Sequence, residues 1–178
     1  MSIADFLSRA YRAEALEVLA APNLERGIPG HGALTKHEAL AGGVMARRLV
    51  RQSLRPSLFA VVDARHTVAA SADLLARKGE AVAEVAEQVA GVVDGDAGYL
   101  RDLVAAWAGL SRDPDSEWCE RLGMSPRALK YWRYGSPAAP GRRGKPGVLQ
   151  ALEQLENDAE RALEGPLTEA GIIRSKAA

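Results

Sequence analysis

Apolar residues recur at three- and four-residue spacing along almost the whole chain, and no stretch alternates convincingly at period two. Such spacing places the apolar side chains on one face of a helix, whereas a half-buried strand needs strict alternation. Composition agrees: the apolar mass is mostly Ala, Leu and Val, and aromatics are only 5%, too few for a typical β-sandwich. The expected fold is all-α, a helical domain containing a helix-turn-helix and closed by a C-terminal amphipathic helix. With 178 residues, 47% of them hydrophobic, the chain can bury a real core within one domain.

Punctuation residues divide the pattern. Ser2 and Asp5 form a capping box for a first helix reaching about Ala20, with Phe6, Leu7, Ala10, Leu16 and Leu19 apolar and Pro22 as its stop. Residues 22–34 are rich in Gly and Pro and read as a loop. Thr35 and Glu38 repeat the capping signal for a second helix carrying Leu40, Val44, Leu49 and Val50. A third is expected from Ser57 to Lys78 with Gly79 as its stop, a fourth on Val82, Val85, Val89 and Val92, and a fifth from Tyr99 to Leu110 after the breaker Asp94-Gly95-Asp96. The expected organisation is a helical part over 1–110, a helix-turn-helix over 111–136, a basic loop over 137–147 and a closing helix and tail over 148–178.

The formal net charge is zero, which argues against a polybasic or acidic-tail protein. The zero is a cancellation, however. Residues 80–120 hold ten acidic and two basic side chains, while residues 121–152 hold seven basic and no acidic ones. An acid-free block of that length points to a local anionic partner. The acidic segment before it is expected either to face a basic protein surface or to shield the basic block.

Residues 115–134 fit a helix-turn-helix position by position. Gly123 suits the left-handed turn, Cys119 is small where two helices cross, and Ser125-Pro126 is an N-cap followed by the favoured first residue. Trp118, Leu122, Leu129 and Trp132 supply the inward faces. The DNA-facing set expected from this placement is Ser125, Arg127, Ala128, Lys130, Tyr131, Arg133 and Tyr134. Arg127 and Lys130 are the candidates for base edges in the major groove, and Ser125, Tyr131 and Tyr134 for phosphates or bases. The bland alternative is a helical hairpin that merely packs. Arg142, Arg143 and Lys145, in the Gly- and Pro-rich loop that follows, could run along phosphates or enter a minor groove, or belong to a solvated linker. Leu149, Leu152, Leu155, Ala159 and Leu163 then form an amphipathic helix ending at Gly165-Pro166, which packs on the domain or pairs with a partner chain. Arg47, Arg51 and Arg55, with Arg48 beside them, form a basic stripe that is either a second contact or a solvated face.

No catalytic constellation is recognisable. His31, His37 and His66 lack ligand spacing, Cys119 is a lone cysteine, and phosphate-binding, dinucleotide and nucleophile-elbow motifs are missing. The chain is therefore expected not to be an enzyme and to need no metal or cofactor. The N-terminus lacks signal-peptide regions, and no run of about 18 apolar residues exists to span a bilayer. The expected setting is the cytoplasm, without a membrane partner.

The helix pair at 36–65 (Ala39-Leu-Ala-Gly-Gly-Val-Met-Ala-Arg-Arg-Leu49, then Leu58-Phe-Ala-Val-Val62), the motif Trp118–Trp132 and the helix Leu149–Leu163 together resemble the lambdoid phage Q antiterminators of the phage-21 type and related phage helix-turn-helix regulators. The resemblance covers a little over half of the chain. The acidic stretch 80–115 and the Gly141-Arg-Arg-Gly-Lys145 loop depart from it. It implies binding of double-stranded DNA near a late promoter through Arg127, Lys130 and Tyr131, then loading onto RNA polymerase holoenzyme in a bacterial host so that terminators are read through. A local stretch, Gly123–Trp132, is similar to the recognition region of MerR-type regulators, which follow it with a wing; none is evident in the sequence. A repressor or activator of that or another kind, or a helical phage assembly or packaging protein with no transcription role, are the alternatives. The oligomeric state and the DNA target are left open.

Overall fold

The computed structural model describes residues 1–20, 36–138 and 143–173, with side chains over 1–16, 44–138 and 143–173. Among them the fold is all-α. Its elements are α1 (Ile3–Ala20), α2 (Lys36–Ser53), α3 (Pro56–His66), α4 (Ala72–Ala90), α5 (Ala97–Trp107), α6 (Asp115–Leu122), α7 (Pro126–Tyr134) and α8 (Val148–Glu169). The expected capping box opens α1: the Asp5 amide donates to Ser2 Oγ at 3.1 Å, and Asp5 Oδ2 accepts from the Ser2 hydroxyl at 2.7 Å. The Thr35 cap, the 22–34 loop and the side chains of Leu19 and Leu40 lie outside the described residues.

Two apolar clusters share α3 and α8. Ala60, Val61 and Ala64 join the buried residues of α4 and α5 with Trp118, Leu129, Val148 and Leu152. Leu58 and Val62 join Phe6, Leu7, Ala10, Tyr11, Val50 and Leu54 with Ala159, Leu163 and Leu167. Helix α3 is thus buried nearly all round, and α8 lies along it with one end in each cluster. This is the packing expected of an amphipathic α8 that folds back on the domain.

Several boundaries differ from expectation. The third helix stops at His66 rather than Lys78, and a new one starts at Ala72. Ser71 explains the break: its hydroxyl accepts from the Leu74 amide at 3.2 Å, and Asp73 sits in the first turn where the helix dipole favours an acid. Lys78 Nζ crosses the gap to the Thr67 carbonyl at 2.9 Å and satisfies the end of α3. Gly79 is no stop; it lies inside α4 with open space around it. Asp96 does more than break the chain, since it N-caps α5 by accepting from the Tyr99 amide at 3.0 Å. Helix α5 ends at Trp107, short of Leu110. Helix α8 runs through Gly165-Pro166 to Glu169. An interior proline costs a helix about 3 kcal/mol, and the full burial of Leu167 one residue later opposes that cost. Leu16, Val44 and Val92, expected on buried faces, are 60%, 50% and 65% exposed.

Where α1, α2, α3 and α4 converge, Asp63 is buried, hydrogen-bonded by Tyr11 and Arg47 and ion-paired with Arg77. Tyr11 donates its hydroxyl at 2.5 Å, Arg47 its Nη2 at 3.1 Å, and Arg77 Nε lies at 3.7 Å. Glu14 closes the group by accepting two 2.7 Å bonds from Arg77 and pairing with Arg47 at 3.4 Å. The basic stripe of the second helix is therefore split: Arg47 turns inward between the Tyr11 and Phe59 rings, while Arg48, Arg51 and Arg55 remain exposed.

Removing Asp63 leaves the buried Tyr11 hydroxyl without its acceptor and Arg47 with only the 3.4 Å pair to Glu14. Asp63→Ala is expected to lose about 3–5 kcal/mol of stability, read from urea unfolding; a loss below about 1 kcal/mol would show that the group does not clamp the helices. Acid stability has a second signature. Burial, then the Arg65 and Lys78 charges, push His66 from its ordinary 6.5 down to about 4. Below pH 6.5 the unfolded chain takes up a proton that the folded imidazole refuses, so stability falls with pH until about 4 and this group adds no loss below that. The full effect is at most about 3 kcal/mol. His66→Gln should flatten that part of the stability profile. Glu14 acts separately: burial opposes its charge, but the Arg77 hydrogen bond and the Arg47 and Arg77 charges outweigh burial and lower its pKa, so its contribution disappears only below its ordinary 4.5.

Candidate nucleic-acid interface

Helices α6 and α7 are joined by the turn Gly123-Met124-Ser125. Gly123 has φ +60°, its amide reaches the Glu120 carbonyl at 3.3 Å, and the Met124 amide reaches Cys119 at 3.1 Å. This is a Schellman end, with Cys119 and Met124 both packed against the first cluster. Ser125 starts α7 by accepting from the Ala128 amide at 3.3 Å, with Pro126 at the first helical position. The local geometry expected at Gly123, Ser125 and Pro126 is present.

The inward face of α7 is apolar and aromatic. Leu129 is fully buried, and the Trp132 ring lies 5.7 Å from that of Tyr99. Trp118 of α6 meets Tyr99 edge-on at 6.1 Å and donates its indole N–H to Asp102 at 2.8 Å. Behind the aromatics lies a polar clamp. Tyr99 donates to Asp115 at 2.6 Å, and Arg133 donates to Asp115 at 2.8 Å and to Asp113 at 2.6 Å. Burial, then the hydrogen bond to Asp115 and its charge, push the Tyr99 phenol above its ordinary pKa.

The outward face carries Arg127, Lys130, Tyr131 and Tyr134, all exposed and at i, i+3, i+4 and i+7. Arg127 Nε donates to the Tyr131 hydroxyl at 3.3 Å, so a cation and an aromatic are already coupled on that face. None of these four has an ion-pair partner among the described residues. Ser125 is exposed at the start of the stripe, and Ala128 is half-buried beside it. Arg133 stands apart from this set. Only 14% of its side chain is exposed, and its guanidinium is committed to Asp113 and Asp115.

Beyond α7 the loop returns on itself. Ser136 and Lys145 form an isolated antiparallel bridge, exchanging amide-to-carbonyl bonds of 3.0 and 3.2 Å. Gly135 and Gly147 make this possible, because their backbones touch: a Cβ on Gly147 would fall on the Gly135 amide and on the backbone of Tyr134 and Arg133. Arg143 is exposed, Lys145 is ion-paired with Asp94, and Arg142 lies outside the described residues. Sequence reasoning missed both the bridge and the acidic partners of Arg133 and Lys145. Only the glycines at 135, 144 and 147 could have signalled the closed loop.

Among the described residues no group of three or more His, Cys, Asp or Glu could hold a metal ion. No helix among them is long and apolar enough to cross a membrane. Comparison with known protein families, curated proteins and solved structures found no match.

The two glycines should respond differently to substitution. Gly123→Ala meets open space and only the left-handed conformation opposes it, so a cost of about 1–2 kcal/mol is expected. Gly147→Ala runs into the backbone of residues 133–135 and should cost more while exposing the Ser136 and Lys145 amides to hydrogen exchange. Equal losses at the two positions would contradict the loop closure.

Proposed function

We propose that this protein is a sequence-specific DNA-binding transcription regulator of the helix-turn-helix type, with α7 as its recognition helix and no enzymatic role. One observation carries the reading: Arg127, Lys130, Tyr131 and Tyr134 form an exposed face on the helix that Leu129 and Trp132 lock to the core, within a stretch that has no carboxylate from residue 121 to 152. In this arrangement the first turns of α7 enter the major groove, where Arg127 can fork onto a guanine and Lys130 can reach an adjacent base or phosphate. Ser125, Tyr131, Tyr134 and Arg143 then hold the backbone around it. Arg133 acts through its carboxylates and keeps α7 in place.

Within that class we infer a phage antitermination factor, which binds duplex DNA near a late promoter and loads onto RNA polymerase holoenzyme in the bacterial cytoplasm. Support for this narrower reading is the resemblance of the helix pair, the α6–α7 motif and the closing helix to the phage Q antiterminators. A MerR-like repressor or activator is the second reading, favoured by the closed loop that directly follows α7, where such regulators carry their wing.

Duplex binding measured against salt separates these from a packing or assembly protein. Arg127→Ala and Lys130→Ala are each expected to cost about 1–3 kcal/mol in specific binding. Loss of a phosphate contact lowers the slope of log K against log salt by about 0.9. Arg133→Ala should weaken binding with that slope unchanged. If neither Arg127→Ala nor Lys130→Ala alters binding, α7 is not the recognition helix. Read-through of a terminator by purified polymerase tests the antitermination step, and DNA binding without read-through leaves a repressor or activator.

A further inference from the structure

Lys145 and Asp94 come from distant parts of the chain, and each is held in place by its backbone. Asp94 lies in the turn between α4 and α5. That turn packs against α7, since a Cβ on Gly95 would stand 3.5 Å from the Trp132 ring. Lys145 is fixed at the loop base by its bridge to Ser136, one residue beyond the Gly135 that ends α7. Their side chains meet in an ion pair although both are well exposed, 67% for Lys145 and 80% for Asp94. The hydrogen bond and charge of Lys145 hold the Asp94 carboxyl below its ordinary range. A carboxylate therefore stands beside the basic block, on one of the cations that could otherwise seat a phosphate.

We propose that Asp94 is an internal competitor for nucleic-acid phosphate: its carboxylate occupies Lys145 in the free protein, and DNA must displace it. The proposal rests on the DNA-binding reading above and adds to it a built-in limit on affinity. A phosphate and a carboxylate repel each other and cannot both sit against one ammonium without cost. An exposed pair is weak and screened by salt, so the device tunes binding rather than blocking it. It also gives the acidic turn a role that shape alone does not require, because Gly95 and Asp96 make the packing and capping contacts.

The test uses the full chain and a fluorescein-labelled mixed-sequence duplex two helical turns long, with affinity read by anisotropy over a salt series. Asp94→Asn is expected to bind about two- to fivefold tighter at low salt, with the gain fading as salt rises and with an unchanged thermal midpoint. Lys145→Gln should bind more weakly than the wild type, and adding Asp94→Asn to it should restore nothing. Unchanged affinity of Asp94→Asn overturns the competition. So does an equal gain in the Lys145→Gln background, which would make Asp94 a diffuse surface charge. If the folded wild type and all variants fail to bind the duplex, the DNA-binding reading falls, and this proposal with it.

Discussion

The Asp63 carboxylate is the constraint on which the arrangement of helices depends. It is 4% exposed, and a charge that deep is tolerated only with close, hydrogen-bonded partners. Its partners come from three other helices: Tyr11 from α1, Arg47 from α2 and Arg77 from α4. The hydrophobic effect is non-directional, whereas the hydrogen bonds and ion pairs of this group have fixed geometry. They fix the rotation of α1, α2 and α4 around α3, and Glu14 then ties Arg47 to Arg77 across the top.

That fixed α3 determines what α8 can do, and α8 in turn supports α7. The residues of α3 that point away from Asp63 divide between two apolar clusters, and α8 spans both, with Val148 and Leu152 in one and Ala159, Leu163 and Leu167 in the other. Leu129 of α7 is buried in the first cluster beside Val148 and Leu152. The direction in which Arg127 and Lys130 face is therefore set by apolar contacts on the opposite side of α7. Arg133, bridging to Asp113 and Asp115, removes the remaining freedom to roll.

Local features were legible in the sequence to the extent that one short segment determines them. Gly123, Ser125-Pro126 and the Ser2–Asp5 box each act within a single turn of helix, and each is where the residue pattern puts it. The apolar period also identifies the buried face of α7 correctly. Several failures involve a distant partner. At the break after His66 the local Ser71 cap starts α4 while Lys78, reaching back to Thr67, satisfies the end of α3, and Gly79 reads as a stop although α4 carries it in open space. Pro166 reads as an end because the burial of Leu167 against α1 residues is a long-range fact. Arg133 reads as one more basic residue in an acid-free block, since its acids lie before that block begins.

The same long-range pairing changes the meaning of the segregated charge. The acid-free block does not present all its cations to an anionic partner. Arg133 is paired with Asp113 and Asp115, Lys145 with Asp94, and the Arg121 guanidinium lies 4.5 Å from the Trp118 ring centroid. The acidic segment supplies the carboxylates for the first two. Among the described residues of the block, Arg121, Arg127, Lys130 and Arg143 have no acidic partner, and with Arg121 on the Trp118 ring this leaves Arg127 and Lys130 on α7 and Arg143 on the loop. A field of seven charges would favour nonspecific attraction to any polyanion. In the proposed DNA-binding role, reducing it to a few cations on a rigid helix, beside two exposed tyrosines, would shift the balance toward geometry, which is the part of recognition that distinguishes one sequence from another.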